Sequence, residues 1–111
     1  MERIKNYRRI VKEVLEEYAQ NKSAFPEIET QLIFDTTRDH YQVVKVGWHE
    51  LDRTYGCSVH IDIKNQKIWI QHNATEVDFA QKLVEKGVPK ANIVLGLHPV
   101  YKRQYTGFAV A

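Results

Sequence analysis

Residues 59–73, with the sequence VHIDIKNQKIWIQHN, alternate apolar and polar side chains on both sides of a short interruption. This period of two is typical of β-strands, because successive side chains of a strand point to opposite faces of the sheet. If Asn65 and Gln66 form the loop of a hairpin, directly opposed residues share a face and four branched side chains are buried together. Those four are Ile61, Ile63, Ile68 and Ile70. The hairpin therefore needs a second layer over its apolar face.

The flanking segments supply that layer and further strands. Apolar residues at offsets of three and four in residues 2–20 predict an N-terminal helix, which the segment NKSAFP ends. Residues 29–35 and 40–49 are rich in β-branched and aromatic residues and predict two strands around a TTRD turn. A third strand is predicted from Thr54 to Lys64 and a fourth over residues 67–72.

A second helix follows the hairpin. Thr75 is predicted to cap it, with Asp78 three residues later, and Gly87 is predicted to end it in a left-handed conformation. The segment NIVLGLH then predicts a short buried strand or extended segment, followed by a strand-like tail. The predicted fold class is α+β: an N-terminal helix, a four-stranded antiparallel meander, a second helix, a short extended segment and a C-terminal strand-like tail.

Composition narrows the function classes. The 111 residues suit a single domain over residues 1–111, and 43% hydrophobic with 27% charged residues is typical of a globular protein. The single cysteine, Cys57, excludes an intrachain disulfide framework. The charged N-terminus does not resemble a signal peptide, and no apolar run is long enough for a membrane span. We therefore expect a cytoplasmic protein with no membrane association.

The polar face of the hairpin is the first candidate for chemistry. The simple register places His60 opposite Gln71 and Asp62 opposite Trp69. Asp62 and Lys64 have the acid-x-lysine spacing of one large nuclease class, with an upstream acid, Asp35 or Asp39, as the second magnesium ligand. A solvated strand face produces the same three-residue pattern by chance. A metal-dependent nuclease is thus one alternative, and we predict no catalytic residue, cofactor or metal ligand.

Histidine and cysteine positions favour structural roles. The five histidines are scattered, and none forms the i, i+4 pair of a helical zinc site. His72 falls on the isoleucine face, where a half-buried, hydrogen-bonded side chain is expected. Cys57 alternates with Val59 and Ile61, which predicts a core residue with a raised pKa and not a nucleophile.

Charges on the first helix run against its dipole. Basic residues lie in its first half, while Glu13, Glu16 and Glu17 lie in its second. The basic residues are Lys5, Arg8, Arg9 and Lys12. This arrangement predicts a contact with phosphate or with an acidic protein surface, and a solvated helix face is the simpler alternative.

The tail gives a second indication of a partner. Lys102 and Arg103 lie among aromatic residues, which suits a protein interface or nucleotide stacking. The chain ends on FAVA, which either docks into its own sheet or adds a strand to another chain. The residues predicted to dock on a partner are Tyr105, Phe108 and Val110.

Longer stretches resemble a known family. They are YRRIVKEVLEEYA, DTTRDHYQVVKVGW, YGCSVHIDIKNQKIWIQHNATE, LVEKGVPKANIVLGLH and KRQYTGFAVA, which together span essentially the whole chain. With them the chain resembles the XisI-like family, the controlling factors for excision of the fdxN element in heterocyst-forming cyanobacteria. Only Asn65-Gln66 departs from the pattern, where an acidic-glycine turn is expected.

The resemblance implies a regulatory role in DNA rearrangement during heterocyst differentiation. It implies a non-catalytic protein that acts with an XisH-like partner beside a separate recombinase, and it implies no site residue. Two further expectations remain open. One is direct DNA binding through Lys5, Arg8, Arg9, Lys12, Lys102 and Arg103. The other is a homodimer formed through an exposed sheet edge.

Overall fold

This computed structural model describes residues 2–20 and 25–111 of the chain. Helix α1 is followed by four strands, a helix, a fifth strand and a last short helix. The elements are α1 (Glu2–Ala19), β1 (Ile28–Asp35), β2 (His40–His49), β3 (Asp52–Lys64), β4 (Lys67–Asn73), α2 (Phe79–Glu85), β5 (Ile93–Val94) and α3 (Val100–Arg103). A single 3₁₀ turn, Lys90–Asn92, precedes β5. The predicted helix stop at Asn21 and Ser23 lies outside the described residues.

The strands form one sheet in the order β1-β2-β3-β4-β5. Pairing from β1 to β4 is antiparallel, which confirms the predicted meander. The NIVLGLH segment supplies the short buried strand β5, which was one of its two predicted forms. Strand β5 runs parallel to β4, so the sheet has five strands and is mixed, and not four-stranded and antiparallel as predicted.

The prediction of a strand-like tail is wrong. The segment Val100–Arg103 forms the single turn of α3, and Pro99 precedes it in an extended conformation. Beyond α3 the tail makes one isolated bridge, between Val94 and Ala109, and the amide of Ala109 donates to the carbonyl of Ile93 at 2.9 Å. The tail thus docks against its own sheet at one point and does not form a continuous strand.

The core lies between α1, α2 and one face of the sheet. Helix α1 contributes its apolar stripe, whose buried residues are Tyr7, Ile10, Val11, Val14 and Leu15. Phe79, Ala80 and Leu83 of α2 belong to the same cluster. The four isoleucines of the β3–β4 hairpin face these helices and are at most 6% exposed, as predicted. This face is called the helix face below, and the opposite one the open face.

The β3–β4 turn and most of the hairpin register are as predicted. Asn65 and Gln66 both have left-handed φ values, 54° and 61°, which characterise the tight turns that match strand twist. Ile61 pairs with Ile70, and Asp62 with Trp69. The register shifts between His60 and Ile61, however, so His60 pairs with His72 and not with Gln71. The predicted half-buried position of His72 is also wrong, because the shift leaves its side chain exposed.

A second register shift, between Val43 and Val44, changes the face of Cys57. Val43 pairs with Val59 on the helix face, but Val44 pairs with Cys57 and Ser58 is left over. Such a bulge adds one residue to one strand and turns the preceding side chain to the other face. Cys57 therefore lies on the open face, where its thiol is 3.9 Å from the amide nitrogen of Gln42, and its predicted place in the core is wrong. Burial still raises the pKa of the Cys57 thiol, as expected.

Asp78, and not Thr75, caps α2. The Asp78 carboxylate accepts a hydrogen bond from the amide of Gln81 at 3.1 Å, while the Thr75 hydroxyl accepts from the amide of Val77 in the preceding turn. Gly87, with φ 101°, ends the helix as predicted. Among the helices of residues 2–20 and 25–111, none combines the length and the apolar character that crossing a bilayer requires.

Candidate functional site

The open face carries a cluster of polar side chains contributed by three adjacent strands. We call His40, Gln42, His60, Asp62 and Gln71 the polar cluster. His40 and Gln42 come from β2, His60 and Asp62 from β3, and Gln71 from β4. The β2–β3 pairing sets His40 directly opposite Asp62 and Gln42 opposite His60. Sheet register thus brings together histidines that are 20 residues apart in sequence.

Asp62 is the centre of the polar cluster. Its Oδ1 accepts from Nδ1 of His40 at 2.8 Å and from Nε2 of His60 at 2.7 Å. Its Oδ2 accepts from the amide of Gln71 at 3.1 Å. The remaining ring nitrogen of His60, Nδ1, lies 3.2 Å from Nε2 of Gln42. One carboxylate therefore holds both imidazoles, and a glutamine supports each end of the arrangement.

The electrostatics of the cluster favour an ionised Asp62. Burial opposes ionisation, since the side chain is only 14% exposed, but the hydrogen bonds from His40, His60 and Gln71 outweigh it and lower the pKa of Asp62. The two histidines remain more accessible, with side chains 53% and 30% exposed. The carboxylate is thus a fixed negative charge beneath two imidazoles that solvent can reach.

The geometry gives little support to the nuclease alternative. The ammonium of Lys64 lies 4.2 Å from the ring centroid of Trp69, a cation–π contact, and makes no described contact with Asp62. Asp39 faces α1, where it accepts from Arg8 and Tyr41. Asp35 accepts the backbone amides of residues 37 and 38 within the β1–β2 turn. Each candidate second acid is therefore engaged in a structural contact away from Asp62.

The basic residues of α1 line one groove. It has a volume of about 620 Å³ and lies between α1 and the β1–β2 turn; its lining residues are Glu2, Lys5, Asn6, Arg8, Arg9, Lys12 and Thr36. Arg8 forms a two-point ion pair with Asp39, at 2.7 and 3.1 Å. Arg9 binds Glu13 at 2.7 Å. Lys5 and Lys12 make no ion pair with any residue that the structure describes.

The acidic end of α1 also has a partner within the chain. Lys86, at the end of α2, lies 2.8 Å from Glu17 and 3.6 Å from Glu13. The pKa of Glu13 is lowered below its usual value, chiefly by the hydrogen bond from Arg9 and to a smaller extent by the charge of Lys86. The charge arrangement that opposes the α1 dipole is therefore explained largely by packing against the chain's own turn and α2.

The structure does not bring the two basic groups together. Trp69 alternates with Ile68 and Ile70, so its ring lies on the open face, and the guanidinium of Arg103 stacks 5.4 Å from its centroid. Arg103 is thus on the opposite side of the sheet from the α1 groove, and the neighbouring Lys102 is on α3 beside it. A single surface formed by both groups, which the DNA-binding alternative requires, is not present.

The tail is only partly available to a partner. Phe108 is half-buried and packs against the chain's own core, so only part of its side chain is accessible. Tyr105 and Val110 remain exposed, at 81% and 50%. Phe108 packs in this way because the adjacent Ala109 forms the bridge with Val94 of β5.

An aromatic group on the open face escaped sequence analysis. Trp48 and Tyr55 are 54% and 74% exposed, and the guanidinium of Arg53 lies 5.4 and 6.0 Å from their ring centroids. Pairing of Trp48 with Arg53 and of Val46 with Tyr55 places these side chains on one face. We call Trp48, Arg53 and Tyr55 the aromatic patch. Trp48 and Tyr55 each lie between two half-buried residues, and this period of two was the signal that could have identified them.

Comparisons with known proteins agree with this fold. The XisI protein family model matches residues 1–110. The structure is similar to that of a XisI-like protein from Anabaena variabilis, with 48% identity and a TM-score of 0.91, over 97% of this chain and 99% of that one. It is also similar to the fdxN element excision controlling factor XisI of the same organism, with 30% identity and a TM-score of 0.85, over 98% and 99%. No curated protein matches the chain. The chain therefore belongs to the XisI protein family.

Proposed function

We propose that this protein is a non-catalytic controlling factor for excision of a DNA element and that it acts in the cytoplasm by binding an XisH-like protein. The family of the chain, and the name of the related excision controlling factor from Anabaena variabilis, support a role in DNA excision. The engaged state of Asp35, Asp39 and Asp62 supports a role without nuclease chemistry.

The observation that supports this mode of action is the exposed part of the open face. Helices α1 and α2 pack on the other side of the sheet, and Arg103 of α3 covers Trp69, but the open face still presents Ile33, 46% exposed, together with the aromatic patch. Tryptophan, tyrosine and arginine are the residue types that dominate binding energy at protein interfaces. Rigid strands present these side chains, so little conformational freedom is lost on binding. The open face therefore serves as the partner surface.

The test is a calorimetric titration of the XisH-like protein with the wild type and with W48A/Y55A. Hot-spot side chains contribute about 2 kcal/mol or more, so the double variant is expected to bind about 25-fold more weakly or worse. Y101A is the matched control, because Tyr101 on α3 is equally exposed, at 67%, and lies outside the patch. Equal affinities for the wild type and W48A/Y55A would refute the proposed surface.

The α1 groove supports a second candidate, direct contact with DNA phosphate. Because Arg8 and Arg9 are paired with Asp39 and Glu13, only Lys5 and Lys12 are available without breaking an ion pair. Each phosphate contact contributes about −0.9 to the slope of log affinity against log salt. Binding of duplex DNA, measured by fluorescence anisotropy, should then show a slope of about −2, and K5A/K12A should abolish this salt dependence. A salt-independent signal would exclude this candidate.

A further inference from the structure

We propose that His40, His60 and Asp62 form a binding site for a first-row transition-metal ion, with Zn²⁺ as the representative ion. Nδ1 of His40, Nε2 of His60 and a carboxylate oxygen of Asp62 all lie within 4.8 Å of one another. This proposal concerns the protein alone and does not depend on the function proposed above.

The arrangement of donor atoms fits such an ion. Both imidazole nitrogens point at the same oxygen, Oδ1 of Asp62, at 2.8 and 2.7 Å. Zinc bonds nitrogen and oxygen at about 2.0–2.2 Å, which separates tetrahedral ligand atoms by about 3.4 Å. The two imidazole nitrogens therefore need to move about 0.6 Å farther from Oδ1 of Asp62 when an ion replaces the shared protons.

Two glutamines already contact two of the three ligands on the side away from the proposed ion. Metal-bound histidines normally use their other ring nitrogen in a hydrogen bond, and bound carboxylates are hydrogen-bonded as well. Nδ1 of His60 lies 3.2 Å from the Gln42 amide, which can turn over to accept from the ring N–H. Gln71 donates to the free oxygen of Asp62 at 3.1 Å.

The ligand types select the class of ion. Two imidazoles and one carboxylate suit Zn²⁺, Ni²⁺ or Co²⁺, whereas Mg²⁺ and Ca²⁺ prefer oxygen ligands throughout. Three protein ligands leave at least one coordination position for water or another group, as in open zinc sites. That position is accessible, because the side chain of His40 is 53% exposed on the open face.

The test is a calorimetric titration of the full chain with Zn²⁺, in parallel with Mg²⁺ as the control ion. One Zn²⁺ per chain with micromolar or tighter affinity is expected, and no binding of Mg²⁺. Loss of a residue that only hydrogen-bonds a metal ligand weakens metal binding about 10–100-fold. The Zn²⁺ affinity of H40A and of H60A should therefore fall about 100-fold or more, and that of Q71L about 10-fold. H98A is the matched control, since His98 is a partly exposed histidine outside the cluster.

Two independent readouts complete the test. Co²⁺ bound at the site should give a visible absorption band in the wild type and in H98A, and this band should be absent in H40A. Zn²⁺ should raise the melting temperature of the wild type and leave that of H40A unchanged, because a ligand stabilises only the state it binds. His40 is exposed, so H40A keeps the fold even where H60A does not. Absence of Zn²⁺ binding, or equal binding by wild type and H40A, would overturn the proposal.

Discussion

Asp39 joins α1 to the β1–β2 turn, and its replacement tests how that junction is stabilised. Its Oδ1 accepts from Nε of Arg8 at 2.7 Å and from the hydroxyl of Tyr41 at 2.9 Å. Tyr41 is fully buried, and burial, together with the bond to Asp39, raises its pKa. The backbone of Asp39 has a left-handed φ of 62° and accepts the amide of Ile63. These contacts connect α1 with the start of β2 and with the end of β3.

The magnitude follows from two contributions. A hydrogen bond to a charged acceptor contributes about 1.5–3 kcal/mol, and D39A leaves the buried hydroxyl of Tyr41 without one. Aspartate tolerates the left-handed conformation better than alanine does, which adds up to about 1 kcal/mol. We therefore expect D39A to lower the free energy of unfolding by about 1.5–4 kcal/mol. D39N keeps an oxygen acceptor and tolerates this φ, so its effect should be well below that of D39A.

The assay is equilibrium unfolding in urea, analysed as a double-mutant cycle of D39A with Y41F. With an m-value of about 1.5 kcal/mol per M, a loss of 3 kcal/mol moves the midpoint by about 2 M. The two residues are in contact, so the double variant should lose about 1 kcal/mol less than the sum of the single variants. D52A, an exposed aspartate at the start of β3, is the control and should change stability by less than about 0.5 kcal/mol. Additive losses, or no loss in Y41F, would refute the reasoning.

Three further predictions concern Asp62, the tail and the β1 edge. The folded-state pKa of Asp62 is lowered, so the stability that Asp62 contributes is present above its ordinary pKa of about 3.9 and is lost as the pH falls through the folded value. The difference in stability between wild type and D62N, measured by urea unfolding, should therefore shrink over that acidic range. Removal of residues 106–111 should lower the melting temperature, because Phe108 no longer packs against the core. Binding of the XisH-like protein should persist if the aromatic patch is the contact. A lost complex with an unchanged melting temperature would instead assign the partner role to the tail. If two copies pair through β1, the protein should sediment as a dimer that L32K dissociates, since a lysine on an edge strand discourages pairing; a monomeric wild type would exclude this homodimer.

Local patterns in the sequence predicted most of the elements. The helical stripe of α1 and the four isoleucines of the hairpin depend on periods of 3.6 and 2, which are properties of neighbouring residues. The stop at Gly87 was also predicted, because only a left-handed residue fits there. The end of α3 and the position of Phe108 depend instead on contacts with β5, which no local pattern encodes. For that reason the tail was predicted as a strand.

The charges of α1 show a similar limit. Their order along the helix is plain in the sequence, but the partners that explain it are distant. Asp39 is 31 residues from Arg8, and Lys86 is 69 residues from Glu17. A helix can tolerate charges opposed to its dipole when other elements neutralise them, because the dipole effect is only a few tenths of a kcal/mol per charge. An unusual local pattern therefore indicated a contact correctly, although the partner identified by the structure is the chain itself.

The polar cluster combines residues that the local pattern placed with others that only strand pairing could place. Val59 to Lys64 keep the period of two, so His60 and Asp62 lie on the open face, as the hairpin pattern predicted. The two register shifts lie beside them, one where Val44 pairs with Cys57 and one between His60 and Ile61. They remove Cys57 from the core and pair His60 with His72, and Gly56, directly before Cys57, was a signal for the first of them. His40 and Gln42 reach the cluster through the regular pairing of β2 with β3. The contribution of β2 is therefore the part of the site that sequence spacing could not reveal, because it depends on contacts between strands and not on a local pattern.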